Sequence, residues 1–453
     1  MIRGRRDGIF SLETLLRAIL WTLPFTVAST SLLSIGSLGD SIFLGRLMVV
    51  GLAVLALRLA LIEPFARGAR PWLPEQIALL AFIGALTVWG AASLFWMRDP
   101  VIGAKSVINI MFALILASSL IVVLRHRPAR MPDFLAGWVV AVLLIVGLGL
   151  FEVFSGIRLP TQRDETVAAV LESTPAWTGS VFPNPNDMAA FMVVALPALL
   201  FLQRISGGIR RWFVLVTIVV ALVGTLLAAA RIASLTMVLA IFLYAITRDD
   251  ATFRTKLATM GGLIGGILLL TTAFPLYLEK MTRLGDAVSV EHENSRAQLA
   301  VDGVWVTLQT GGFGVGPGNF REFADEPHLP FQNLANFTPH NIYVEVLAEY
   351  GLLLGVALVG GLLWLTVRWI GNRHLWPPTR AVLLAGLLCM FLVGLESSRA
   401  LTLNTLLLPT TLMVIAGYRY GDALRQSVKR TAEGHEAVIS ENPRSDNRQG
   451  APL

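Results

Sequence analysis

The chain is poor in the residues around which many soluble enzymes are built. It has one cysteine, six histidines and only 15% charged residues. A lone cysteine excludes an intrachain disulfide, and Cys389, inside an apolar run, reads as a small packing residue. The histidines are scattered and no Asp-x-Asp pair stands in the outward loops defined below, so no metal site is expected; Asp40 is the one acid of the first outer loop. The glycine-rich run Gly311 to Gly318 has no strand-like segment before it and no Gly-Lys-Ser/Thr after it, which excludes a P-loop. Its glycines are expected to allow a tight turn near a substrate or a helix end. No small-residue cleavage site follows the first apolar run, so that run is read as a membrane span rather than a removed signal. No internal repeat of roughly 20–50 residues is visible.

Apolar residues are what the chain has in abundance. They make up 55% of the 453 residues, and the mean hydropathy is +0.67. These values predict an all-α polytopic membrane protein, in which each spanning segment satisfies its own backbone groups. Spans need roughly 20 apolar residues each. About twelve fit, near 15–35, 42–62, 76–97, 101–124, 134–154, 187–203, 211–229, 232–247, 257–276, 341–369, 379–395 and 401–418. Two long polar loops remain, 156–186 and 277–340, the second with room for short helices. Residues 1–420 form the bundle, and the polar tail at 421–453 lacks apolar periodicity and is expected to be disordered.

The net charge of +6 implies no nucleic-acid partner, because basic residues gather on the cytoplasmic loops of membrane proteins. Arg3, Arg5, Arg6, Arg67, Arg70, Arg125, Arg127, Arg130, Arg204, Arg210, Arg211, Arg248, Arg254, Lys256, Arg373 and Arg380 all fall on alternate connections. That asymmetry puts both termini in the cytoplasm and both long loops on the outer side.

The candidate chemistry lies in and around those loops. Thr338-Pro339 before an apolar run predicts a helix start, which puts His340 and Asn341 in the first turn. The positive helix end disfavours imidazolium, so His340 is biased towards neutral and can act as a base. Asn341, Glu345 and Glu349 form one stripe of that helix, with Tyr343 and Leu347 on the face of His340. Arg231, between two apolar helices, offers a permanent planar charge suited to phosphate oxygens; a headgroup anchor is the alternative. Arg296 opens an amphipathic helix from Ser295 to Leu308 whose Val301 and Trp305 can lie on a membrane. Asn186 is expected to cap the sixth span, and Arg399 stands near Glu396 as a candidate ion pair.

These motifs together resemble the O-antigen ligase / O-antigen polymerase family of bacterial inner-membrane proteins. The resemblance is carried by Ser295-Arg296 with Trp305, by Gly314-Val-Gly-Pro-Gly-Asn-Phe320, and by His340-Asn-Ile-Tyr-Val-Glu-Val-Leu-Ala-Glu-Tyr-Gly351. Asn184-Pro-Asn186 and Arg231 also fit, although Ala230 stands where family members usually carry a serine. The layout of apolar runs agrees over 15–420, and the specific motifs over 180–355.

The resemblance implies a metal-independent, cofactor-free, inverting glycosyltransferase facing the periplasm. Its donor would be a glycan on a polyprenyl (undecaprenyl) diphosphate and its acceptor lipid A–core, which makes O-antigen ligase the first expectation. A growing glycan as acceptor, in an O-antigen or exopolysaccharide polymerase, and a protein, in an O-oligosaccharyltransferase, stay open. His340 would be the base. Arg231 and Arg296, with Asn186, Asn341, Tyr343 and Glu345, would hold substrate. The non-enzyme alternative is a polysaccharide or lipid transporter.

Overall fold

The computed structural model describes residues 11–29, 32–33, 43–62, 72–161, 177–247, 252–254, 261–262, 265, 289–324, 329–331, 341–372, 375–395 and 405–418, without the side chains of 289–296. The described residues are helical, with no strand. The helices are α1 (Leu12–Ala28), α2 (Leu44–Ile62), α3 (Pro74–Ser93), α4 (Pro100–His126), α5 (Met131–Ser155), α6 (Pro185–Ile205), α7 (Gly208–Leu227) and α8 (Arg231–Thr247). They continue as α9 (Ser289–Gln309), α10 (Phe320–Ala324), α11 (Ile342–Gly371), α12 (Pro377–Val393) and α13 (Thr405–Tyr418).

Seven of these, α2 to α7 and α11, are long and apolar enough to cross a membrane; α8, α12 and α13 are shorter and apolar. The chain is therefore an all-α, membrane-embedded protein. Helices stand at every expected span except 257–276, which lies outside the described residues, as does the tail at 421–453.

The bundle closes around α6. Along most of its length this helix is buried on all sides, from Met188 to Gln203, as befits an apolar helix with no polar face. α5, α7, α8 and α12 pack around it, α1 leans on α5, and α2 and α3 flank α4. Phe191 of α6 meets Trp138 of α5 with ring centroids 5.4 Å apart.

Hairpin connectivity sorts the helix ends into two sets. One is rich in arginine. There Arg17 reaches Asp133 at 3.0 Å, Arg130 reaches Glu13 at 2.7 Å and Asp133 at 3.1 Å, and Arg368 at the end of α11 pairs with Glu75 at the start of α3. Arg204 and Arg125 lie over the rings of Trp376 and Trp72. The opposite end gathers the last turns of α3, α5, α7 and α12, the first turns of α4, α6 and α8, and the glycine-rich run.

The expected single span at 341–369 is corrected by the structure. Gly351 breaks α11 with φ 85° and ψ 178°, leaving α11a (342–350) and α11b (352–371). A Cβ on Gly355 would lie 3.6 Å from Leu347 Cα. In an unbroken helix residues eight apart are separated by about 12 Å, so α11a folds back on α11b. α11b alone, about 30 Å long at 1.5 Å per residue, suffices to cross a membrane.

Helices break sharply only where something replaces the lost backbone bonds. Here the glycine run does. Val315 N–H donates to Ala348 O, Gly316 N–H to Glu349 O, and Leu352 N–H to Gly312 O, each at 2.9 Å. The two strips touch closely enough to require glycine on both. A Cβ on Gly314 would sit 2.6 Å from Glu349 O, and one on Gly351 would overlap Gly312 O.

Gly351→Ala combines a left-handed φ with that overlap. It is expected to destabilise the protein by about 1–3 kcal/mol, read as a lowered melting temperature in detergent. Gly360→Ala, on α11b with nothing near its added methyl, is expected to be neutral or slightly stabilising.

Candidate functional site

The site is organised by the corner of α11. Asn341 is the N-cap of α11a, its side-chain oxygen accepting the N–H groups of Tyr343 at 2.9 Å and Val344 at 3.3 Å. This corrects the expected helix start at Thr338. The helix begins at Ile342, so Asn341 precedes its first turn. His340 itself falls outside the described residues.

Tyr343 is half-buried, and its hydroxyl donates to Phe391 O at 3.1 Å. Ile342 N–H donates to Gly394 O at 2.7 Å. Both bonds tie the start of α11a to the end of α12, so the Tyr343 hydroxyl anchors the helix start. Glu345 and Glu349 do not reach out to water; they are 9% and 7% exposed. Glu349 Oε2 accepts the N–H of Gly318 at 2.8 Å, so one carboxylate locks the far end of the glycine loop. Glu345, in the first turn of α11a, benefits from the positive helix end.

The loop is held from the other side by the α3–α4 turn. Trp89 Nε1 donates to Phe313 O at 3.1 Å and Trp96 Nε1 to Gly314 O at 3.0 Å. The Trp89 and Phe313 rings stack with centroids 6.0 Å apart. Asn319, fully buried, accepts from Asp99 N–H at 2.7 Å and donates to Asp99 O at 3.1 Å. Asp99 in turn caps α4 through Val101 and Ile102 N–H.

Arg231 is the first residue of α8 and is exposed. It follows Ala229, whose φ of 54° makes the α7–α8 turn. Asn186 is half-buried in the first turn of α6 and is not the cap. Asn184 is: its side chain accepts Asn186 N–H at 2.9 Å, with Pro185 between them at the first helical position. Thr178 N–H donates to Leu227 O at 3.2 Å, tying the loop before α6 to the turn that carries Arg231. α8 packs on α6 and α12. α12 thus stands between Arg231 and α11a, all at the glycine-loop end. Arg296 lies within α9, which is longer than the expected 295–308, and its side chain is outside the described residues, as are Asp40, Glu396 and Arg399.

Two features escaped the sequence reading. Glu152 near the end of α5 is fully buried and accepts the hydroxyl of Thr178 and the N–H groups of Leu159 at 2.6 Å and Ser180 at 3.2 Å, with Arg158 at 3.9 Å. A glutamate in the last turn of an apolar span was the available signal. The second is Asp302 of α9, buried, whose Oδ1 accepts Phe331 N–H at 3.2 Å. Among the described residues no three His, Cys, Asp or Glu side chains are grouped to hold a metal ion.

No protein-family model and no curated protein matches the chain.

Burial pushes the Asp302 carboxyl above its ordinary value, against the pull of the Phe331 N–H. A raised folded pKa means stability that is present below the unfolded pKa of about 3.9 and lost as pH rises through the folded one. Asp302→Asn removes that ionisation. Its melting temperature relative to wild type is expected to rise between pH 4 and pH 7, and a difference that is flat with pH would count against the assignment.

Proposed function

We propose that the chain transfers a glycan from a polyprenyl diphosphate carrier to an acceptor hydroxyl at the glycine-loop end of the bundle, which the arginine asymmetry favours as the outer side and which the resemblance makes the periplasmic face of a bacterial inner membrane. Lipid A–core is the acceptor first expected, and the resemblance to the O-antigen ligase family guides that choice. The observation that carries the reading is the folded-back half-helix α11a. Asn341 caps it directly after His340, Glu345 is buried in its first turn, and Glu349 and the glycine run hold it in place.

In this reading the acceptor oxygen attacks the anomeric carbon and gives its proton to His340. A neutral imidazole can accept it. The bond from the anomeric carbon to the diphosphate oxygen breaks, and the electron pair leaves with the diphosphate. Arg231 and Arg296 offset the charge that develops there, as fixed cations do at a leaving phosphate. One displacement inverts the anomeric centre. Asn186, half-buried at the start of α6, lies on the Arg231 side of the site.

The test separates base from anion holder. His340→Ala is expected to lower single-turnover transfer by about 10²–10⁴-fold with donor affinity unchanged. Arg231→Ala is expected to weaken donor binding as well, and Arg231→Lys to restore only part of it, because an ammonium lacks the bidentate fork. Wild-type transfer by folded His340→Ala protein would overturn the assignment of the base. Unchanged donor affinity in Arg231→Ala would reduce that arginine to a headgroup anchor.

A further inference from the structure

α9 is not one of the membrane-crossing helices, yet it turns an apolar face outwards. Leu299, Asp302, Gly303, Val306 and Thr307 are buried. They face α11a and α10: a Cβ on Gly303 would press into Val344, and Thr307 Oγ1 donates to Leu347 O at 3.1 Å. The opposite face carries Val301, Val304, Trp305 and Leu308, exposed by 49%, 46%, 41% and 68%. These positions follow the spacing of a single helical stripe.

Past Gln309, Thr310 and two glycines, exposed apolar residues resume. Phe313 is 57% exposed, and a Cβ on Gly312 would touch Leu352 Cβ at 3.6 Å. From there exposed Leu352, Leu353 and Val356 lead down α11b, a helix that faces lipid. Exposed apolar side chains therefore stand on α9, at Phe313 and on the membrane-crossing α11b, the loop meeting α11b where Gly312 approaches Leu352. An apolar helix face in water would be a large unfavourable exposure. A helix with one apolar face carrying tryptophan, set beside spanning segments, is the type that lies in the headgroup and acyl-chain boundary.

We infer that the outward face of α9 is a lipid-contacting surface, immersed in the same leaflet as the upper part of α11b. The partner is the bilayer itself. The half-helix bearing Asn341 and Glu345 is thereby fixed to an element that lies in the membrane surface. The inference concerns where α9 sits and stands whether or not the chain transfers glycans.

The experiment is collisional accessibility of nitroxide labels on the full chain in lipid nanodiscs. Single cysteines are placed at Val301, Val304 and Leu308, with Val356 as the lipid-facing reference and Val306 as the protein-buried one. Cys389 is buried and stays, with the unsubstituted chain as the labelling control. The expected result is high collision with oxygen and low collision with a water-soluble nickel chelate at all three positions, as at Val356. High nickel and low oxygen collision would put this face in water and overturn the inference. Low collision with both, as at Val306, would mean that a polypeptide such as a second copy covers it, and would overturn it equally.

Discussion

The constraint on which this molecule depends is the pairing of a glycine loop with the corner of a broken helix. A break in an apolar helix strands backbone N–H and C=O groups, and each one left unsatisfied in a low-dielectric setting costs several kcal/mol. Ala348, Glu349 and Leu352 avoid that cost only because Val315, Gly316 and Gly312 lie alongside to bond them. The match leaves no space for a side chain at Gly314 or Gly351, so the glycines of both strips are one requirement. Remove the loop and the corner straightens or hydrates; remove the corner and the loop has nothing to bind.

The rest of that end of the bundle can be read as support for this pairing. Trp89 and Trp96 spend their indole N–H groups on loop carbonyls rather than on headgroups. Asn319 spends its amide on the α3–α4 turn, and Glu349 spends a carboxylate oxygen on Gly318. These are polar groups at the edge of an apolar bundle, and each has a backbone partner, as buried polar groups must. A second node works the same way around Glu152, which gathers the chain between α5 and α6 by accepting from three of its residues. Two fixed ends result, one carrying α11a and one carrying the turn before Arg231, with α12 between them.

The membrane class and most helix positions were legible in the sequence because hydropathy over about 20 residues averages away local detail. The corner at Gly351 was not. A glycine inside an apolar run is common in membrane helices, and nothing local distinguishes one that bends from one that packs. What specified the bend was a contact about 35 residues away in sequence, which periodicity cannot see. The caps failed for a related reason. Thr338-Pro339 and Asn186 both satisfy the local rules for a helix start, yet Asn341 and Asn184 hold the caps. Neighbouring polar residues compete for one position, and tertiary bonds such as Ile342 N–H to Gly394 O decide among them. The stripe of Glu345 and Glu349 was legible from helical spacing, but their burial depends on the folding back of α11a, which the same missing contact specifies.

The broken helix bears on the choice between an enzyme and a transporter. Transporters build their sites from discontinuous helices whose exposed ends face a central cavity, and such helices come in pairs related by an internal repeat. Among the described residues α11 alone contains a non-helical break, and the sequence has no repeated half to supply its counterpart. The break is also sealed: its freed carbonyls accept from the glycine loop rather than facing an open path for ions or substrate. A sealed corner fixes geometry. Fixed geometry at one face is what a transfer reaction needs, because a displaced general base loses its advantage with small errors in position. Under the proposed function, that fixed corner would serve a catalyst working at one membrane surface.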